Sequence, residues 1–374
     1  MNGRCRSLLP GAALCLALGS AAPLSAQEAV PPPLPAGGHP APERVAWFAR
    51  FQEARGGPEV TETVTRTFKV GPNGSLEIFN LAGPVIVAGV PGDTIVVTAV
   101  KRARASEGVD AKAHLAAIDI DTVDTGGRVE VRTVVRGRVK HLRTWVDYSV
   151  TVPYGTAVSA RALAGDIKVS KVKGEVQIES TSGSVEATGT PHLTRVKTLS
   201  GDLLIVDVAS TGALVASTVS GRLVAKGVKA PSLELTTISG DLLLVNTATD
   251  RAQVRTVSGT MEFVGALARN GRYEFNSHAG DIRLKLAKLP GFELAAKTFS
   301  GDFRSDLALT MDEPSSDEPL PPGVPRRRDV RGVFGDGSAL ILVKTFSGSV
   351  VVGADVPKPP VPPRAPAPPR PPRD

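Results

Sequence analysis

The residues of this chain that could do chemistry recur as a triplet. Ser200-Gly201-Asp202, Ser239-Gly240-Asp241 and Ser300-Gly301-Asp302 each set a hydroxyl and a carboxylate on either side of a glycine. Such a turn could present a nucleophilic serine, but a nucleophile must be singled out by a positioned base. Here nearly every copy of the turn carries the serine, which points to scaffolding. The carboxylates could form a calcium ladder, yet the Gly-Gly-x-Gly-x-Asp pattern of calcium-binding rolls is absent, so they are read as structural turn residues. Five histidines, His39, His114, His141, His192 and His278, are scattered without metal-ligand spacing. His278 occupies the turn position that Leu199, Val219, Ile238 and Phe299 fill elsewhere, and is expected to be a packed corner residue. The expectation is no cofactor, no metal and no catalytic residue.

The elements that must carry these turns are repeats. The turn glycine stands at Gly165, Gly183, Gly201, Gly221, Gly240, Gly259, Gly280, Gly301 and Gly348. The first eight are about 20 residues apart, the signature of a stacked array. Three residues before the glycine stand Ser180, Thr198, Thr218, Thr237, Thr256, Ser277, Thr298 and Thr345, a ladder of hydroxyls. These should bond turn amides or the hydroxyl of the next coil. Five before it and two and four after it the residues are predominantly apolar, as in Leu235, Leu242 and Leu244 around Gly240. Equal parity on both sides of a turn is strand patterning with one buried face. Each unit therefore supplies two strands of about seven residues, and stacking at about 4.8 Å closes the core. The fold class that follows is all-β, a right-handed parallel β-helix-like solenoid of about 19–20-residue repeats, with an antiparallel repeat barrel as the alternative. The residue after the glycine alternates through Asp166, Ser184, Asp202, Arg222, Asp241, Thr260 and Asp281, which doubles the spacing of like charges.

The outward position three after the glycine reads Lys168, Glu186, Leu204, Val224, Leu243, Glu262, Arg283, Arg304 and Val351. No acidic pair emerges there for a polysaccharide-active β-helix enzyme, the serious catalytic rival. Leu204, Val224 and Leu243 instead form an apolar stripe, with Val206 and Val245 nearby. An exposed stripe of this kind marks an interaction surface, unless the N-terminal strands or a later excursion of the chain cover it.

The ends frame the array. Arg4 and Arg6, an apolar run from Leu8 to Leu18 and Leu24-Ser25-Ala26 have the form of a secretory signal peptide over 1–26. A lipoprotein reading would use Cys15, where Leu14 stands in place of a small residue. Both cysteines, Cys5 and Cys15, would leave with that segment, so the mature chain would have no thiol. It would carry 42 Lys and Arg (44 less 2) against 37 acids, about +5. With 4% aromatic residues, a modest basic excess partly concentrated in the tail and an exported chain that meets little nucleic acid, nucleic acid is excluded as a partner. No second long apolar run forms a transmembrane segment. Residues 27–58 read as a proline-rich linker and a short helix, either a cap or a membrane-surface segment. Residues 59–155 read as a β-rich part with a helical interruption at 110–117, and 156–310 as the repeat array. A proline-rich excursion at 311–335, a last repeat at 336–355 and a basic polyproline II tail at 356–374 complete the chain.

The run Thr-Leu-Ser-Gly-Asp-Leu-Leu-Ile-Val at 198–206, its copies, and Val-Asp-Tyr-Ser-Val-Thr-Val-Pro at 146–153 resemble a bacterial domain-of-unknown-function family described as adhesins. The resemblance covers about residues 60–352. It implies an exported β-solenoid at the cell envelope, in the periplasm, on the outer surface or outside the cell, and has no catalytic residues to carry over. The expected function is a non-catalytic binding scaffold whose partner is a protein or glycan of the envelope, with self-association a further expectation. An envelope-stress accessory protein engaged through its proline-rich arms is the alternative outside catalysis.

Overall fold

The computed structural model describes residues 59–104, 110–136, 144–287, 291–311 and 328–354. The signal peptide, linker and short helix expected over 1–58, most of the 311–335 excursion and the tail at 356–374 lie outside the described residues. Among these, one short helix, Ala111–Ala116, interrupts a structure otherwise made of strands. The strands form two sheets, of 13 and 14 strands.

Each coil sends one strand into each sheet. A longer strand such as Glu175–Ser182 or Ala213–Ser220 runs to the corner glycine, and a shorter one, Val185–Thr188 or Leu223–Lys226, returns in the opposite sheet. Successive coils pair in parallel register: Glu186 lies beside Leu204, Leu204 beside Val224 and Val224 beside Leu243. The fold is thus the parallel solenoid and not the repeat barrel. Antiparallel pairing is found toward the ends, as between Glu59–Lys69 and Thr94–Arg104 or Phe292–Ser300 and Arg328–Phe334.

The two strands of a coil are unequal, where equal strands of about seven residues were expected. Left-handed residues stop or bulge the short strand: Lys171, Gly189, Asp207, Gly227 and Asn246 all lie at φ between 51° and 65°. A left-handed residue turns the backbone out of the extended ladder, and the period-two pattern does not reveal where that happens.

The corner glycines stack directly on one another, because a Cβ on each would collide with the carbonyl oxygen of the glycine one coil below. At Gly83, Gly165, Gly183, Gly201, Gly221, Gly240, Gly259, Gly280 and Gly348, φ lies between 108° and 155°, a further reason for a residue without Cβ. The spatial order read from these contacts is 83, 165, 183, 201, 221, 240, 259, 280, 348, 301. Two features of that order were not anticipated. Gly83 is a corner of the array, although its triplet reads Ala82-Gly83-Pro84. The last repeat, Ala339–Ser347 with Val350–Ala354, does not close the stack. It lies between Arg272–Leu286 and the coil of Phe292–Ser305, pairing in parallel with both.

The core lies between the sheets. Ile178, Leu235, Val254 and Phe275 from the long strands face Val185, Leu223, Leu242 and Ile282 from the short ones, all buried. Phe263 packs edge-on against Tyr273 and Phe275 with ring centroids 5.9 and 5.8 Å apart.

Candidate functional site

The turn residues act on the next coil. Asp166 Oδ1 accepts from the Ser184 amide at 2.8 Å, Asp202 from Arg222 at 2.8 Å, Asp241 from Thr260 at 3.0 Å and Asp281 from Ser349 at 3.0 Å. Each aspartate therefore ties its own coil to the one above, and the residue that donates has a non-acidic side chain. In chain order the alternation fails, because Asp302 follows Asp281 before Ser349 appears. In spatial order it is unbroken: Asp281, Ser349, Asp302. Intercalating the last coil keeps like charges two coils apart, about 9.6 Å.

The hydroxyl ladder is buried, as its parity requires, but it donates to carbonyls, where bonds with turn amides or neighbouring hydroxyls were expected. Thr218 Oγ1 donates to Ser220 O at 3.3 Å and Gly201 O at 3.4 Å, and Thr256 to Ser258 O at 3.2 Å. Thr237, Ser277, Thr298 and Thr345 have no partner among the described residues. Asn80 takes the hydroxyl's place at Gly83 and donates to Gly83 O at 2.9 Å and Val146 O at 2.8 Å. Thr133 joins this buried amide to Tyr148, and burial pushes the Tyr148 phenol up to about 12.

Two apolar features face outward. One runs along the corner, two residues before the glycine, through Leu163, Leu199, Val219, Ile238, Val257, His278, Phe346 and Phe299, and is interrupted by Thr181 between Leu163 and Leu199. All but Val219 are exposed; Leu199, Ile238 and Phe346 stand at 49%, 47% and 49%. His278 is therefore an exposed residue, not a packed one: a corner side chain points away from the core. It stacks on Phe346 at 5.0 Å, and Phe346 stacks on Phe299 at 4.8 Å. The sequence signal for this ridge was the turn position itself, which most units fill with an apolar residue.

The second feature is the stripe on the short-strand sheet. Leu204, Val224 and Leu243 are brought together on three adjacent strands, with Leu204 exposed and the other two half-buried. Val206, Val245 and Val264 line the next outward column, with Lys226 among them. Ion pairs bound the patch on both sides, Lys168 with Glu186 at 2.9 Å and Lys285 with Glu262 at 2.6 Å. The N-terminal strands extend the same sheet at its edge, so they do not cover the stripe.

Two shallow hollows accompany these surfaces, one lined by Glu77, Arg128 and Ser159 and one by Lys229, Pro231 and Thr249. Among the described residues no three His, Cys, Asp or Glu gather as metal ligands, and no helix is long and apolar enough to cross a membrane. His192 meets Thr211 at 3.2 Å on the surface, and His114 is buried.

The Toastrack DUF4097 family model matches residues 146–331. Among solved structures, a candidate adhesin from Bacteroides fragilis is 11% identical over 78% of this chain and 97% of its own, with a TM-score of 0.37. A candidate lipid-binding protein from Parabacteroides distasonis is 10% identical over 79% and 97%, with a TM-score of 0.39. A candidate adhesin from the same organism is 7% identical over 78% and 97%, with a TM-score of 0.33. No curated protein matches the chain.

Proposed function

We propose, for a chain that the Toastrack family model matches over residues 146–331, a non-catalytic binding role: an exported scaffold of the cell envelope whose short-strand face holds a protein partner. The observation that carries this reading is the outward patch of Leu204, Val224 and Leu243, in register on three strands and fenced by two ion pairs. Aliphatic side chains ringed by charge suit a protein contact with a polar rim. A glycan would call for aromatic platforms and convergent hydrogen-bonding groups, which this face lacks among the described residues.

Catalysis on the same face is the weaker reading. On the parallel coils of that face from Ile167–Ser170 onward the outward acids are Glu186 and Glu262, and four coil steps, about 19 Å, separate them. Paired glycosidase carboxylates stand about 5–9.5 Å apart. Each glutamate is also occupied by a lysine. Export rests on the basic start, the apolar run and the small residues before Gln27.

Replacing Leu204, Val224 and Leu243 together with lysine tests the role. Outward substitutions change stability by about 0.5 kcal/mol or less each, so the variant should fold and be exported with its mature end near Gln27. Cross-linking in intact cells should then lose the partner band that the parent chain gives. An unchanged cross-linking pattern in a folded variant would remove this face from the function.

A further inference from the structure

The corner ridge lies between two charged columns of opposite sign. From Leu199 to Phe299 it crosses seven consecutive coils, and Thr181 separates this run from Leu163. On its long-strand side, four residues before the glycine, stand Arg161, Lys197, Arg255, Lys344 and Lys297, with Glu179 the one acid. Parallel register sets these outward residues in one column. On its other side, one residue after the glycine, the turn column holds five aspartates and one cation, Arg222. Over the nine corners from Gly165 to Gly301 the two columns therefore carry +4 and −4, five charges less one in each.

Part of this charge is used within the chain. Arg161 pairs with Glu77 at 3.1 Å and Glu179 at 3.5 Å, and Lys297 with Asp329 at 3.5 Å. Asp241 pairs with Arg222 at 4.0 Å and Asp281 with Arg283 at 3.4 Å, and Asp302 is engaged as well. Lys197, Arg255 and Lys344 are exposed and have no ion pair among the described residues. Asp166 and Asp202 are exposed too, and each bonds the amide of the next coil without a cation among the described residues. The coil of Gly201 thus carries an unpaired cation, Lys197, and an aspartate without a cation, Asp202, on either side of the exposed Leu199.

We infer that two copies of this chain pair ridge to ridge about a two-fold axis that runs along the stack. Rotation about such an axis sets each coil against the same coil of the partner and exchanges the two sides, so each cationic column faces an aspartate column. Lys197 then meets the partner's Asp202, and Asp202 the partner's Lys197, with the two Leu199 side chains between them. Arg255 meets Thr260, which lies between Asp241 and Asp281 in the stack, and Lys344 meets Ser349, between Asp281 and Asp302. Glu179 meets Ser184 and Arg222 meets Ser217, so no like charges meet on any coil. The other face-to-face two-fold, with its axis across the ridge, would set cations on cations and aspartates on aspartates, which repel. From Leu163 to Phe299 the ridge runs eight coil steps, about 38 Å, and Lys197 to Asp202 spans at most about 17 Å of chain. That is about 650 Å² on each copy and about 1,300 Å² in all, within the range of about 1,200–2,000 Å² for specific interfaces. An apolar centre with a charged rim is the usual anatomy of such a contact.

The contact is separate from the stripe of the proposed function, and its tests leave that face unchanged. Analytical ultracentrifugation should find the full chain dimeric at about 100 μM, where an interface of this size with μM affinity is mostly occupied. Lys197→Glu and Asp202→Lys, each alone, bring like charges together and should weaken the dimer at least tenfold. Mixing the two variants should restore it, because the mixed pair sets the new glutamate on the new lysine and Asp202 on Lys197. Recovery on mixing also shows that both variants fold. Leu199→Ser with Ile238→Ser should weaken the dimer at least tenfold, since both side chains are exposed and the core is spared. The direction of pairing is read with a nitroxide attached through Leu163→Cys, in a chain that also carries Cys5→Ser and Cys15→Ser. The two labels of a dimer should lie close together, whereas antiparallel pairing about the middle of the ridge would hold them about 38 Å apart. A chain that is monomeric at that concentration would overturn the inference and leave the ridge to another segment or another partner. So would a dimer that ignores these variants, folded variants that do not recover on mixing, or labels held far apart.

Discussion

At the scale of single residues, buried hydroxyls that look alike in sequence are in different states. Thr218 and Thr237 occupy the same rung position, 3% and 1% exposed. Thr218 donates to two carbonyls, whereas Thr237 Oγ1 has no partner among the described residues. A hydrogen bond of this kind contributes about 1 kcal/mol net, and a buried hydroxyl without one is a liability. Thr218→Val should therefore cost about 1 kcal/mol, and Thr237→Val should leave stability unchanged or raise it. Urea midpoints of the two variants decide this, and equal losses would mean that Thr237 is satisfied in solution. Sequence showed the ladder but not its bonding, because parity places a side chain inside without fixing its χ1. The aspartate bonds were likewise hidden: alternation was visible, but not the amide each carboxylate accepts.

At the scale of elements, the corner glycines and the parity around them were enough to read two strands per coil and a parallel stack. What they did not reveal is which coil follows which in space. The corner at Gly83 is not legible in the repeat pattern because it lacks the hydroxyl and the aspartate, with Asn80 and Pro84 in their places, and because a long insertion separates it from Gly165. The intercalated coil is not legible either, because its place in the stack differs from its place in the chain. Its consequence is measurable. Val350–Ala354 has a neighbour on each side, whereas Phe303–Ser305 is the outermost strand of its sheet. Amides that open only with the whole array exchange slowest. Hydrogen exchange should therefore find Val350 and Val352 as protected as Ile282 and Leu284, and Phe303 and Ser305 exchanging faster. The opposite ranking would mean that the coil of Phe292–Ser305 docks directly on Arg272–Leu286 and the last coil lies outside it.

At the scale of the whole molecule, the acidic ladder reports the stacking order by itself, since like charges on adjacent coils repel and those two coils apart are partly screened. Ser349 lies between Asp281 and Asp302 in the observed stack. Ser349→Asp would put three carboxylates on consecutive coils and should lower stability at neutral pH by about 1 kcal/mol, the sum of two exposed like-charge contacts. Repulsion raises the pKa of the added carboxyl in the folded state, so the penalty is full above the carboxylate range. It should fade as pH falls below about 4, and in about 1 M salt at neutral pH. A second substitution separates the two possible orders. In the intercalated stack Asp302→Asn removes one of two repelling neighbours and should recover about half of the loss. In a stack built in chain order Ser349 would meet Asp302 alone, and the same change would recover all of it. Thermal midpoints of the parent, the single variants and the double variant at pH 7 and pH 3.5 give the answer, with the pH 3.5 values of all four chains expected to converge.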